Sequence, residues 1–236
     1  MSKRVAKAVV SWVGLGLIVG SICGSASALF LHLLDLATHT REQHEWLVYL
    51  LPVSGLVVGA LYERFGTPIR AGNNLIIDTI HDDGPPIPIR MAPMVLLGTV
   101  LTHLFGGSAG REGTAVQMGA SLADTLSHRV GLSPSLRKQL LAAGVAGGFG
   151  SVFGTPIAGT IFGLEFVVLG KIEYDALLPA LVAATVGDMT TRAWGIGHTE
   201  YPSPAPLSLS PWLLAKWHSL RSYSRSQRSR SSSLLT

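Results

Sequence analysis

Uncharged apolar stretches separated by short polar segments dominate the first 200 residues of the chain. Between Lys7 and Asp35 lie 27 residues without Asp, Glu, Lys or Arg. A helix rises about 1.5 Å per residue, so this run is long enough to cross a hydrocarbon core of about 30 Å. We therefore predict a first transmembrane helix here, with Lys3, Arg4 and Lys7 holding the N-terminus in the cytoplasm.

The same run has a competing interpretation as a secretory signal peptide. Basic residues precede it, and Ala26-Ser27-Ala28 resembles a cleavage site. Further apolar spans follow it in the sequence, and these favour the transmembrane interpretation.

Four later apolar runs differ in how continuous a helix they allow. The runs 46–62 and 91–110 are long enough to span a bilayer, whereas 176–187, with 12 residues, predicts a tilted, buried or partial span. The run 139–164 is rich in glycine and contains Pro156, so we interpret it as two short helices meeting inside the membrane. Non-helical backbone at that depth is tolerated where it lines a cavity, so the break predicts a binding site.

Composition supports an integral membrane protein. Hydrophobic residues make up 47% of the chain and charged residues 14%, with a mean hydropathy of +0.40. The 27 glycines and the 7% aromatic content favour helices that pack closely through small residues. Cys23 is the single cysteine, which excludes an intramolecular disulfide framework.

The formal net charge of +4 comes from the C-terminal segment. Residues 219–233 hold eight serines and four arginines, and no acidic residue follows Glu200. The rest of the chain has equal numbers of basic and acidic residues, so we expect no nucleic-acid partner. We predict a membrane region over 1–200 and a degenerate, disordered Ser/Arg-rich tail over 201–236.

The glycine-rich segment 106–119 is the strongest candidate for chemistry. A glycine-rich turn that opens a helix near Glu112 would direct free backbone N–H groups and the positive end of the helix dipole into the turn. An anion fits there, and so does a carboxylate. Glu112 can therefore compete with a bound anion, leave when protonated, and couple proton movement to anion movement.

Two alternatives apply to this segment. Arg111 and Glu112 can form an ordinary salt bridge at a helix start. A phosphate-binding loop is disfavoured, because Thr114 follows Gly113 directly where that loop requires a lysine.

Three motifs resemble the CLC family of chloride channels and transporters, two of them in chain order and the third upstream of both. The first resembles the helix opening that carries the family's gating glutamate, the second its paired short helices ending in an acid, and the third its upstream turn. They are Gly110-Arg111-Glu112-Gly113 with Val116-Gln117-Met118-Gly119; Ala142 to Phe149 with Thr155 to Gly159 and Phe162-Gly163-Leu164-Glu165; and Ala71-Gly72-Asn73-Asn74-Leu75-Ile76. The resemblance runs from near the N-terminus to about His198.

Two departures resemble the fluoride/proton antiporter branch of that family. Asn73-Asn74 stands where chloride members typically have serine in the upstream turn, and Thr114 stands where they have proline. An amide N–H₂ or a hydroxyl can replace more of the hydration that fluoride loses than an apolar ring can. Asn73-Asn74 can equally be an ordinary helix N-cap before Leu75.

The resemblance implies an all-α integral membrane protein, a CLC-like half formed by one inverted repeat, in which broken helices meet at the anion site. It implies fluoride export coupled to proton import, with chloride conduction or chloride/proton exchange as the alternative. Glu112 would be the gate and proton acceptor. The expected anion-binding residues are Gly72, Asn73, Asn74, Gly110, Arg111, Gly113 and Thr114.

The same resemblance implies a homodimer surrounded by lipid in the bacterial inner membrane, with fluoride or chloride and protons as its substrates. We expect no enzymatic activity, cofactor or metal site. His32, His103 and His198 are isolated and are expected to be packed or interfacial. Glu165 is followed by Phe166 where chloride exchangers have a second acid. We therefore expect a structural carboxylate there, with a proton relay as the alternative.

The second repeat of the family has no counterpart in this sequence. A frameshift or a premature end would explain one repeat followed by a Ser/Arg-rich tail. A half-size protein that forms antiparallel dimers is one alternative, and an inactive membrane fragment is another. The tail can also be interpreted as a polybasic segment that binds anionic lipid.

Overall fold

The computed structural model describes residues 3–81, 84–167 and 174–198, and the regular structure in these ranges is entirely helical. The predicted tail over 201–236 lies outside the described residues. The α-helices are α1 (Lys3–Gln43), α2 (Leu51–Phe65), α3 (Asn73–His81), α4 (Met91–Leu104), α5 (Arg111–Val130), α6 (Pro134–Phe153), α7 (Pro156–Val167) and α8 (Leu177–Ala193). Short 3₁₀ helices span Glu45–Leu50, Thr67–Ile69 and Tyr174–Ala176.

The first helix continues well past the predicted span. α1 has 41 residues, roughly 60 Å at the rise of an α-helix. The segment Ala26-Ser27-Ala28 lies in its middle, where the Oγ of buried Ser27 is 2.7 Å from Ser151 Oγ of α6. This packing favours the transmembrane interpretation of the N-terminal run over a signal peptide.

Other helices depart from the predicted lengths. Within the described ranges, two helical stretches are long and apolar enough to cross a membrane, Val9–Gln43 and Glu45–Phe65. The predicted span over 91–110 is wrong, because α4 has only 14 residues and the chain turns at Gly106, whose φ is +80°. α8 has 17 residues and is therefore about 25 Å long. This is shorter than a hydrocarbon core of about 30 Å, in agreement with the predicted partial span.

The glycine-rich run 139–164 is broken into two helices, as the sequence predicted. Gly154 adopts a φ of +67°, and Pro156 begins α7. The expectation that both helices are short is wrong for α6, which has 20 residues and continues through its internal glycines. Their low helix propensity is overridden by packing, since residues 140–148 are all buried.

Backbone contact between α5 and α6 explains those glycines. A Cβ on Gly144 would lie 2.5 Å from the carbonyl oxygen of Gly119, and a Cβ on Gly148 would overlap the carbonyl oxygen of Ala115. Small residues at such positions let membrane helices approach closely. α6 also contacts α1, α7 and α8, and it is therefore the central helix of the described structure.

A buried ion pair joins α5 and α6 to the segment that precedes α4. The fully buried Asp124 carboxylate accepts hydrogen bonds from Arg137 Nε at 2.6 Å and from the backbone N–H of Ile87 at 2.6 Å. Arg137 Nη1 donates to the carbonyl oxygen of Gly84 at 3.0 Å. These bonds satisfy a charge that would otherwise be costly to bury.

We expect Asp124→Ala to destabilise the protein by about 3 kcal/mol, because it leaves the mostly buried guanidinium of Arg137 without its partner. Thermal unfolding in detergent measures the effect as a lowered midpoint. Asp78→Ala is the matched control, since Asp78 is exposed and forms no ion pair with the described residues. Equal midpoints for the two variants would contradict a structural role for Asp124.

Candidate functional site

The start of α5 presents backbone donors that no side chain caps. Gly110 precedes the helix in an extended conformation, with φ −69° and ψ 140°, and it makes no side-chain cap. The N–H groups of the first helical turn therefore lack the partner that a capping residue would supply. Together with the helix dipole, they favour negative charge at this end of α5.

The Glu112 side chain turns back toward this helix start. A Cβ on Gly110 would lie 2.7 Å from Glu112 Oε2, so residue 110 has to be glycine for the carboxylate to take this position. Glu112 is exposed. It forms no salt bridge with Arg111 in the described residues, which argues against the ordinary ion-pair interpretation of this segment.

A cavity of about 330 Å³ lies beside the start of α5. Gly110, Gly113, Thr114 and Gln117 contribute one helical face to its wall, since residues three and four apart share a face. α2 and α4 form the other walls. The remaining lining residues are Val58, Tyr62, Val95, Gly98, Thr99, Thr102 and Ala109.

Two buried hydroxyls meet on the wall of this cavity. Thr114 Oγ1 and Thr99 Oγ1 lie 2.6 Å apart, and both residues are less than 10% exposed. A hydroxyl can both donate and accept a hydrogen bond. The pair therefore places polar groups with rotatable protons between α4 and the first turn of α5.

The start of α3 meets the same face of α5. Gln117 Nε2 donates a hydrogen bond to Asn73 Oδ1 at 3.0 Å. Gly72, with a φ of +57°, leaves room for this contact, because a Cβ on it would lie 3.3 Å from Gln117 Nε2. The start of α3 therefore packs against the second turn of α5.

The other predicted anion-binding residues lie at the margin of this arrangement. Asn74 is exposed, and its backbone N–H donates to the carbonyl oxygen of Ala71 at 3.1 Å. Arg111 is half-buried and is not among the residues that line the cavity. The structure thus brings Gly110, Gly113 and Thr114 together on the cavity wall. Gly72 and Asn73 lie next to Gln117, but they are not among the residues that line the cavity.

Glu165 and the histidines lie outside the cavity. Glu165 is exposed on α7 and forms no hydrogen bond or ion pair with the part of the chain that the structure describes. His103 Nδ1 lies 2.9 Å from the Thr99 carbonyl oxygen, and His198 Nε2 lies 2.9 Å from Asp188 Oδ1. His32 is exposed on α1. His103 and His198 are partly buried, in agreement with the expected packed or interfacial positions. The expectation that His198 is isolated is wrong, because its ring faces the Asp188 carboxylate.

Four polar residues that line the cavity were not predicted, namely Tyr62, Thr99, Thr102 and Gln117. Tyr62 and Thr99 carry hydroxyls within apolar runs, and that is the signal that could have identified them. Gln117 has a weaker signal, because it follows Gly113 at the i+4 spacing of one helical face.

Comparison with known proteins places these motifs in a family. The family profile described as "Voltage gated chloride channel" matches residues 54–218, which extends past His198, where the expected resemblance ended. The "Chloride/fluoride channel protein" of Pseudomonas syringae pv. tomato is 55% identical over 193 residues, covering 82% of this chain and 43% of that protein. The "H(+)/Cl(-) exchange transporter ClcA" of Vibrio parahaemolyticus is 27% identical, covering 84% and 46%.

Solved structures agree with this assignment. The chain is similar to the "crystal structure of a CLC-type fluoride/proton antiporter", with a TM-score of 0.81 and 36% identity, covering 92% of this chain and 54% of that one. A slow cyanobacterial Cl⁻/H⁺ antiporter shares the fold with a TM-score of 0.66 and 23% identity, covering 85% and 49%.

The chain spans about half the length of the curated relatives it matches. The profile match covers more than half of the sequence, and the all-helical architecture agrees with the fold of the solved relatives. This protein belongs to the voltage-gated chloride channel family, the CLC family of multi-pass membrane proteins.

Proposed function

We propose that the chain carries out CLC-type transmembrane anion transport, in which fluoride export is coupled to proton import. The observation that carries the proposal is the position of the Glu112 carboxylate, turned back onto the uncapped start of α5. A carboxylate and an anion would compete for the same backbone donors. Protonation removes the negative charge of Glu112, so proton binding and anion entry become coupled.

Fluoride as the transported anion is supported by the polar groups around this helix start. Thr99, Thr114 and Asn73 supply hydroxyls and an amide, which can replace part of a small anion's lost hydration. The Pseudomonas relative is named for chloride and fluoride together, and the 36% identical structure is titled a fluoride/proton antiporter. Chloride conduction or exchange is the alternative, and flux that favours chloride over fluoride would support it.

The remaining features of the proposal follow the family. We infer a transporter without enzymatic activity that works as a homodimer in lipid of the bacterial inner membrane. An inactive membrane fragment is the competing hypothesis, and anion flux that does not change on replacing Glu112 would support it. Asn73 is a first candidate for the anion path because it bonds to Gln117, which lines the cavity, whereas Arg111 and Asn74 have no such link and are secondary candidates.

We expect Glu112→Gln to abolish proton coupling, because an amide cannot take up and release the proton. Proteoliposomes containing the full 236-residue chain, loaded with fluoride and monitored with a fluoride electrode and a pH electrode, measure the number of protons moved per fluoride. Glu63→Gln is the matched control, since Glu63 is an exposed carboxyl at the end of α2.

Preserved proton coupling in Glu112→Gln would contradict the hypothesis that Glu112 is the gate and proton acceptor. Glu165→Gln, measured in the same way, separates the two interpretations of that residue. A structural carboxylate leaves coupling intact, whereas loss of coupling would assign Glu165 to the proton route.

We expect Thr114→Val to raise the fluoride KM about tenfold, the factor that corresponds to losing one hydrogen bond to a charged group. Thr114→Ser keeps the hydroxyl and should stay close to the wild-type value. Thr125→Val is the control on the same helix, since its hydroxyl donates to the Ser121 carbonyl oxygen at 2.8 Å, away from the cavity. An unchanged KM in Thr114→Val would exclude this hydroxyl from the anion path.

A further inference from the structure

We propose that Gln117 is a positioning residue for anion selectivity, which it controls by fixing the orientation of the Asn73 amide. The inference rests on the proposed function and deepens it. Gln117 lines the cavity, and its amide joins α5 to the start of α3 through the 3.0 Å bond to Asn73.

The space around the Gln117 amide is shaped by glycines on both sides. A Cβ on Gly72 would lie 3.3 Å from Gln117 Nε2, and a Cβ on Gly113 would lie 3.7 Å from the same atom. The first distance is tight and the second is ordinary van der Waals contact. A side chain at residue 72 would therefore press on the amide, whereas glycine leaves it free to reach Asn73.

The polarity of this bond decides which end of Asn73 remains available. An asparagine amide has an oxygen that accepts and an N–H₂ group that donates. Because Gln117 donates to the Asn73 oxygen, the Asn73 N–H₂ group is not used in this bond, and it is the end that can bind an anion. An acceptor at residue 117 would draw in the N–H₂ group and leave the oxygen, which repels anions.

The position of the bond makes it relevant to the ion path. Gln117 lies one helical turn beyond Gly113 and Thr114 on the face that lines the cavity. Asn73 lies in the first turn of α3, where the backbone N–H groups also favour negative charge. Gln117 therefore links the cavity-lining face of α5 to the start of α3.

A purely structural role for Gln117, tying α3 to α5, predicts a different result. Breaking a tie between helices lowers the thermal midpoint and affects all anions alike. A positioning role changes the fluoride KM and the preference for fluoride over chloride, with a smaller effect on the maximal rate. Anion selectivity is the readout that separates these roles.

The test is a double-mutant cycle in proteoliposomes containing the full chain. We expect Gln117→Met, which keeps the side-chain length and removes the donor, to raise the fluoride KM about tenfold and to reduce the fluoride/chloride preference by a similar factor. In an Asn73→Ala background the same change should have no further effect, because Gln117 acts through Asn73.

Gln117→Glu is the second variant, and it keeps the shape while replacing the donor with an acceptor. We expect it to lower the fluoride/chloride preference further than Gln117→Met does, with a thermal midpoint close to the wild-type value. Thr125→Val again serves as the control on α5.

Each remaining outcome overturns the inference. Unchanged selectivity in both Gln117 variants, or effects that add to those of Asn73→Ala, would show that Gln117 does not act through Asn73. If the wild-type chain fails to move fluoride and isothermal titration shows that it binds none, the proposed function fails and the inference fails with it. If fluoride transport by the wild-type chain is normal and Glu112→Gln still abolishes proton coupling, a negative result in the Gln117 variants overturns only the inference about Gln117. The proposed function then stands.

Discussion

Backbone contact between α5 and α6 is the constraint on which the rest of the described structure depends. Gly119 lies against Gly144, and Ala115 lies against Gly148. These distances leave no room for a Cβ at any of the three glycines. Membrane helices gain little from burying apolar side chains, because the lipid is equally apolar, so close van der Waals contact and satisfied polar clusters hold them together. The Asp124–Arg137 pair fastens the same two helices. α5 is thereby held along most of its length, which fixes the position of its uncapped start.

A fixed helix start is what an anion site requires. A small anion that leaves water loses strong hydration, and only donors already in place can compensate for it without a further ordering cost. The start of α5, the paired hydroxyls of Thr99 and Thr114, and the Gln117 amide place such donors on the wall of one cavity, and Gln117 bonds to Asn73 beside it. The Glu112 carboxylate lies against Gly110 at this helix start, although Glu112 itself is exposed and does not line the cavity. Protons can remove its charge, and this is the chemistry on which the proposed link between proton binding and anion binding rests.

The sequence alone predicted those features that depend on residues close together in the chain, namely where helices begin and break. The helix predicted near Glu112 begins at Arg111, and the predicted break falls at Gly154 to Pro156. The sequence alone could not predict contacts between segments that are far apart along the chain. Thr99 joins the site because α4 packs on α5, and the Asn73 oxygen accepts a bond from Gln117 instead of serving as an ordinary cap. α6 stays helical through its glycines for the same reason, since tertiary packing overrides intrinsic propensity.

Protection of a cavity thiol by fluoride tests the central claim most directly. Gly113→Cys in a Cys23→Ala background places one thiol on the cavity wall, where a Cβ makes only ordinary contact with Gln117. Ser133→Cys, at an exposed position before α6, is the control. Fluoride should slow labelling of residue 113 by a small charged thiosulfonate reagent and leave residue 133 unaffected. Labelling of residue 113 at the same rate with and without fluoride would contradict an anion site at the start of α5.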